Sequence, residues 1–289
     1  IMPFWSSWEV LPNHKGIVSG VTQTGMALGM LLFTVLAQVC SNPHNLAPSL
    51  SHNGEKYFGP EVAGNTPRMF YCFGIIVAVL GLSAAAMIRS PVAGSPKKVG
   101  QLKNKRPKKL RLKKIMKTSQ FWILNIMMSL SVTTGMFISA NYKYFGLDRE
   151  AINDDAFLTI VGSAGSIINA LGKIGCGALL DRVSFKSVYT FGLLGQLFLT
   201  LTLSLAASSK LLFGVWVPLI FLCLGSHYVL APVVCSKLYG TERGFEVFGI
   251  VCSFLSLGTL VQYVIIEFGV QSLGFSNLLY IFASLTLVS

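Results

Sequence analysis

Residues 169–182 read NALGKIGCGALLDR, a lysine set among small residues and followed by an Asp-Arg pair. The stretch closes an apolar run that begins near residue 157, so Lys173 is a charge inside a segment with the character of a lipid-crossing helix. Working outward, the whole chain supports that solvent. Of its 289 residues 53% are hydrophobic and 12% are charged, whereas a soluble domain carries about 25% charged residues. Hydrophobic blocks near the ~20 residues that span hydrocarbon at 1.5 Å per residue fall at 18–40, 69–88, 119–140, 157–180, 188–207, 211–235, 247–267 and 274–289. They predict an all-α membrane protein with eight transmembrane helices. The eighth is cut at Ser289, and the opening IMPFWSSWEVLP carries neither an initiator methionine nor a basic signal-peptide region, so the chain is expected to be a fragment.

The net charge of +12 would suggest nucleic acid in a soluble protein, but its location excludes that partner. Eleven of the 23 basic residues lie between Lys97 and Lys117, in KKVGQLKNKRPKKLRLKKIMK, a run without a single acid. If the run is cytosolic, alternation of the helices places Lys15, Arg89, Arg182, Lys186, Lys237 and Arg243 beside it, seventeen basic residues in all. The other side receives five, Lys56, Arg68, Lys143, Arg149 and Lys210, accompanied by Glu55, Glu61, Asp148, Glu150, Asp154 and Asp155. The positive-inside rule then fixes the orientation, and the run reads as a solvated loop close to anionic lipid.

The same run is the natural boundary along the chain, with two helices before it and six after. The expected division is 1–90, a basic inter-domain loop at 91–118, and 119–289. The segment SNPHNLAPSLSHNGEKYFGPEVAGNTPR (41–68), rich in Pro, Gly, Ser and Asn, reads as an exposed loop. PNHKGIVSGVTQTGMALG (12–29) and YGTERGFEVFGIVCSFLSLG (239–258) echo one another: each sets a basic residue and glycine ahead of a helix with spaced glycines, a trace of the internal repeats of transporters. The six cysteines have no CxxC spacing and read as small packing residues. Cys40 and Cys72 both fall toward the non-cytosolic ends of their helices, but nothing in the spacing supports a disulfide or zinc.

On a helix, residues four apart share a face, so Asn169 and Lys173 align with Gly165 one turn before them. An ionisable residue in the bilayer costs at least ~2.5 kcal/mol and is functional by default. Three readings of Lys173 stay open: contact with a substrate, a structural or gating contact, and snorkelling toward the cytosolic interface. Gly175 and Gly177 permit close helix approach ahead of Asp181 and Arg182. His227 sits between Gly225 and Pro232. Proline removes a backbone hydrogen bond, and such broken segments tend to line cavities. A histidine there either couples a proton to transport or is a buried residue bonded to a neighbouring helix. In SANYKYFG (139–146), Tyr142 and Tyr144 most simply form an interfacial aromatic belt; the sharper reading puts Asn141 and Tyr142 at the mouth of a pathway. Glu267 reads as solvated.

Other chemistries find no footing. GSAGS (162–166) lacks the Lys-Ser/Thr of a phosphate-binding loop and lies in mid-helix. The sequence has no HExxH, no nucleophile elbow and no carboxylate pair within a span, so no enzyme, metal or cofactor is expected. Rings of like charge and a filter-like loop, the marks of a channel, are also missing.

A helix ending in N-x-x-G-K-x-x-x-G-x-L-x-D-R closely resembles the motif between the eighth and ninth helices of the major facilitator superfamily. LPNHKGIVSGVTQTGMALG (11–29) resembles the fourth-to-fifth helix connection of its oxalate/formate antiporter and monocarboxylate branch, to which the apicoplast pyruvate carrier-like family belongs. FLTIVGSAGSIINALGKIGCGALLDRVSFK (157–186) is the strongest signature. The resemblance runs from the fifth helix through a shortened twelfth and implies a helical bundle with about eight of twelve helices present. Residues 1–90 would end the N-terminal half, and 119–289 would form the C-terminal half of six helices.

The resemblance also implies roles. The position of Lys173 holds, in that branch, an arginine implicated in binding the substrate carboxylate, and the position of Asn169 often holds an acid. Lysine keeps the charge but loses the planar fork that grips a carboxylate with two bonds. Lys173 would hold the anion, Asn169 would orient it, His227 would carry a proton, and Asn141 and Tyr142 would line the path. Asp181 would meet the positive end of a neighbouring helix and, with Arg182, Gly177 and Arg243, gate the cytosolic side; an ordinary loop salt bridge is the alternative. The branch has a lysine in its eleventh helix and the span 247–267 has none, which disfavours a dianion such as oxalate. The expected function is secondary transport of a small organic monocarboxylate such as pyruvate, lactate or formate. The partners would be that anion, protons, the bilayer, and either the rest of the N-terminal half or the partners of a membrane complex. The alternative, motivated by the four missing helices, is a non-transporting carrier kept as a scaffold subunit of a membrane complex.

Overall fold

In the computed structural model of the chain, the described residues are 7–8, 11–44, 46, 49–52, 55–87 and 112–289. Long helices dominate: α1 (Lys15–Ser41), α2 (Thr66–Met87), α3 (Ser119–Leu147), α4 (Asp155–Arg182) and α5 (Phe185–Ala206). A continuous helical run, Lys210–Leu273, breaks at Gly240, whose φ of 80° is open to glycine and strained for other residues. The break separates α6 (Lys210–Gly240) from α7 (Arg243–Gly269). Gly274, with φ 73°, then turns the chain into α8 (Phe275–Val288). Among the described residues seven helices are long and apolar enough to cross a membrane, and α8 is apolar but shorter. The eight hydrophobic blocks therefore coincide with eight helices, and the protein is integral and multi-pass.

Polar residues at the ends set the boundaries. Asp154 caps α4 by accepting from the Phe157 N–H at 3.1 Å, and Ser184 caps α5 by accepting from the Ser187 N–H at 3.2 Å. In between, the outward faces are apolar: Ile160, Phe191, Leu211 and Leu287 are all strongly exposed. Such a surface belongs in hydrocarbon, where helices hold together by packing and inter-helix hydrogen bonds rather than by hydrophobic burial.

The contacts divide the chain into two compact units, Ile1–Leu28 with Leu110–Ser289, and Gly29–Lys109. This division falls inside α1. Of the basic run at 97–117, residues 97–111 lie outside the described residues. In the second unit, the stretch expected as an irregular loop contains a two-stranded antiparallel hairpin, Leu50–His52 with Glu55–Tyr57, in the register Leu50↔Tyr57, Ser51↔Lys56 and His52↔Glu55. The signal was in the sequence, since the two residues between the strands are Asn-Gly, the pair that most favours a two-residue hairpin connection. A short helix, Pro60–Gly64, follows. Asn65 donates to the Ser41 carbonyl at 3.2 Å, and the Phe33 and Phe73 rings meet edge to face at 5.0 Å, which joins α1 to α2. The six cysteines are free thiols.

In the first unit α6 is the most buried span and meets α3 at Gly135–Leu224, α4 at Asn169–Gly225 and α5 at Gly192–His227. Two apolar clusters surround it. One gathers Phe121, Met128, Leu180, Val229, Val233 and Val247; the other gathers Phe137, Phe145, Leu158, Phe213, Phe275 and Phe282. Polar side chains tie the helices through backbone carbonyls. Gln196 donates to the Ser131 carbonyl at 2.8 Å, Thr134 to that of Phe282 at 2.8 Å, and Tyr189 to that of Met127 at 3.1 Å.

Candidate functional site

The region around NALGKIGCGALLDR is built on α4, whose Asn169–Arg182 end meets the first half of α1 and the body of α6. Glycine makes the approach to α1 close. Gly16 and Gly177 lie backbone to backbone, with no room for a side chain on either, and Gly20 sits equally tightly on the Lys173 carbonyl. The next turn of α1 continues the ladder, with Thr24 donating to the Ala170 carbonyl at 3.3 Å. At its end, both Asp181 carboxylate oxygens accept from the opening N–H groups of α1, Gly16 at 2.8 Å and Ile17 at 3.0 Å. Those N–H groups have no partner within their own helix, and the helix dipole favours an anion there.

Lys173 lies nine residues before Arg182, about 14 Å along the helix axis. Among the described residues it is the one buried side chain of Lys, Arg, Asp or Glu, at 5% exposure. Its ammonium donates to the Gln23 main-chain carbonyl at 3.3 Å and lies 5.7 Å from the centre of the Tyr228 ring. The ion pairs among the described residues are Lys210–Asp154 and Arg243–Glu246, and Lys173 belongs to neither. One carbonyl and one aromatic face thus lie beside a cation that has no carboxylate partner among the described residues, an arrangement suited to a mobile anion.

Asn169 is buried on the same helix, but its amide donates to the Phe221 carbonyl at 2.7 Å, and its backbone fits the notch left by Gly225. That joins α4 to α6 and commits the donor that was expected to orient a substrate. His227 is fully buried, and its Nδ1 bonds the Cys223 carbonyl at 2.7 Å. Its ring packs edge-on against Tyr189 at 5.7 Å and faces Gly192, so it looks into α5, whereas the next residue, Tyr228, looks toward Lys173. Successive residues of a helix point about 100° apart, which is why His227 and Tyr228 face different neighbours.

Asn141 donates to the Phe137 carbonyl of its own helix at 2.8 Å. Tyr142 turns inward, its hydroxyl seated against Gly162 of α4 and its ring edge-on to Phe221 at 5.8 Å. The glycines of GSAGS thus have a packing role: Gly162 receives Tyr142 and Gly165 receives Phe221. Arg182 is exposed at the last turn of α4, and Arg243 pairs with Glu246 in the first turn of α7. Sequence reasoning missed Gln23, Gly20 and Tyr228. A signal existed for Gln23, which sits in the polar triplet Thr22-Gln23-Thr24 in the middle of an apolar helix.

Apolar helices joined through glycine notches and side-chain-to-carbonyl bonds, with one cation enclosed among them, define a polytopic α-helical membrane bundle. The family model for the Major Facilitator Superfamily matches residues 9–261, and the chain belongs to that superfamily. It is also similar to apicoplast pyruvate carrier 1 of Toxoplasma gondii, with 25% identity over 321 residues. That alignment covers 96% of this chain and 58% of the relative, so the chain spans less than two thirds of the length of the relative it matches.

Proposed function

We infer that the chain is part of a secondary transporter that moves a small organic monocarboxylate, of the pyruvate, lactate or formate type, by alternating access. The observation that carries this reading is Lys173, a buried ammonium with a carbonyl and an aromatic ring beside it and no carboxylate partner among the described residues. Burying an unpaired cation in hydrocarbon is costly, and an anion that arrives, binds and leaves offsets that cost only while it is present. The resemblance to a carrier whose name specifies pyruvate supports a monocarboxylate over other small anions. The lack of a second lysine or arginine in Arg243–Gly269 beyond Arg243 itself weighs against a dianion.

In this reading Lys173 holds the carboxylate and the Tyr228 ring shapes its surroundings. Asp181 holds α1 to α4 on the cytosolic side while that side is shut. Asn169 holds α4 to α6, and His227 takes no direct part. The experiment is uptake of labelled pyruvate, lactate and formate into liposomes containing the intact protein. Wild type should accumulate at least one of them, Lys173→Ala should lose that uptake, and Lys173→Arg should retain part of it. Uptake by Lys173→Ala at the wild-type rate would refute the binding role. Failure of the wild type to carry any of the three would favour the scaffold reading.

A further inference from the structure

Gln23 makes two hydrogen bonds in opposite senses. Its side-chain Nε2 donates to the main-chain carbonyl of Tyr228 at 2.9 Å, and its own main-chain carbonyl accepts from the Lys173 ammonium at 3.3 Å. The Tyr228 carbonyl is a particular one. An α-helix would pair it with the N–H of the residue four positions on, and that residue is Pro232, which has none. Within a membrane bundle, a carbonyl freed by proline needs a donor from outside its helix. Gln23 supplies it from α1 and is itself buried, at 4% exposure.

We propose that Gln23 is a latch residue: it holds α1 to α6 through the carbonyl freed by Pro232, and it holds Lys173 through its own backbone, so that the two contacts close and open together. The part of the proposal that concerns substrate rests on the monocarboxylate reading above. A carboxylate arriving at Lys173 competes with the Gln23 carbonyl for the ammonium and removes one of the two bonds that keep α1 seated. The Tyr228 ring, 5.7 Å from that ammonium, is on the same residue whose carbonyl takes the other bond. Substrate occupancy and release of α1 are thereby linked over a few ångströms, in the middle of the helix and away from the Asp181 contact at its end.

The distinguishing experiment is a double-mutant cycle between Gln23 and Pro232, read from the opening of α1 rather than from transport. Val18, buried on α1, is replaced by cysteine, and its labelling by a membrane-impermeant maleimide is followed in vesicles of the intact protein against the native-cysteine background. Gln23→Leu should raise the labelling rate roughly two- to tenfold, the range that one net hydrogen bond spans. Pro232→Ala gives the Tyr228 carbonyl an N–H of its own helix, and in that background Gln23→Leu should have little further effect. If Gln23→Leu does not assemble, Gln23→Met, which keeps the side-chain length, enters the same cycle.

Equal effects of the Gln23 substitution in both backgrounds, or none in the wild type, would overturn the latch. Added pyruvate should speed labelling in the wild type and do so less in Gln23→Leu. If none of pyruvate, lactate and formate has an effect while the Gln23–Pro232 coupling persists, the carboxylate reading falls and the latch stands.

Discussion

Gly16 and Gly177 face one another so closely that the carbonyl oxygen of each occupies the place where a side chain of the other would begin. The two backbones can meet only as glycines, and the meeting brings the opening turn of α1 within reach of Asp181. Gly175, two residues away, has nothing within 4 Å of the position its side chain would take. The pair makes an internal control. Gly177→Ala is expected to cost about 1–3 kcal/mol through overpacking, and Gly175→Ala to stay within ~0.5 kcal/mol of wild type. Thermal unfolding of the two variants in the same detergent reads the difference, and equal melting temperatures would count against the contact.

The Asp181 carboxylate spans two N–H groups at 2.8 and 3.0 Å, and both bonds are charge-assisted. Asp181→Ala leaves both donors unpaired and should favour separation of α1 from α4 by about 2 kcal/mol. Asp181→Asn keeps one acceptor oxygen and should have a smaller effect. Labelling of a cysteine at Val18 should rise in the order wild type, Asn, Ala. Any other order means that the carboxylate does not hold α1.

His227 offers a test in the opposite direction. It bonds a carbonyl of its own helix and packs on Tyr189, so its replacement should disturb packing and leave substrate handling intact. His227→Asn is expected to lower the melting temperature, through loss of a hydrogen bond worth about 1 kcal/mol and of ring contacts. The pH profile of uptake should match that of the wild type. A profile that flattens in the variant would return His227 to the transport mechanism.

Asp154 titrates outside the spans. The Lys210 ammonium at 2.7 Å, and then the Phe157 N–H, hold its carboxyl below the usual carboxylate range. A pKa depressed by folding contributes stability that is present above the unfolded value of about 4 and is lost as pH falls through the folded value. The wild type should therefore lose its stability margin over Asp154→Asn as the pH is lowered from about 4. A margin that is constant with pH would show that the ion pair does not form in solution.

Much of the fold was legible because a bilayer leaves the sequence few choices. Each span must be long, apolar and internally hydrogen-bonded, so the blocks at 119–140 and 157–180 return as α3 and α4 with their ends moved by a few residues. The hairpin at Leu50–Tyr57 was hidden by composition, since a stretch rich in Pro, Ser and Asn was read as irregular despite its Asn-Gly. The site was legible in part. Lys173 stood out because charge is rare in lipid, and Asp181 because it ends a helix beyond glycines. Gln23 was passed over although its polar triplet stands in an apolar helix, since what an amide bonds stays open until the opposing helix is known. The partners of Asn169 and His227 were not legible for a related reason: residue type gives the capacity to bond, while the packing decides where the bond goes.

The sequence by itself determined that this chain lives in lipid, where its apolar segments lie, which of them carries a charge, and where a proline strips a carbonyl of its partner. Those are properties of single segments, set by hydrophobicity, period and the chemistry of one residue. Only the tertiary structure decided that the stripped carbonyl of Tyr228 meets Gln23, more than 200 residues away, and that the same Gln23 receives the Lys173 ammonium. The physical reason is rotational. A helix presents its side chains about 100° apart, and which of them face a neighbour depends on the glycine notches, such as Gly16, Gly20 and Gly177, that set how two backbones lock together.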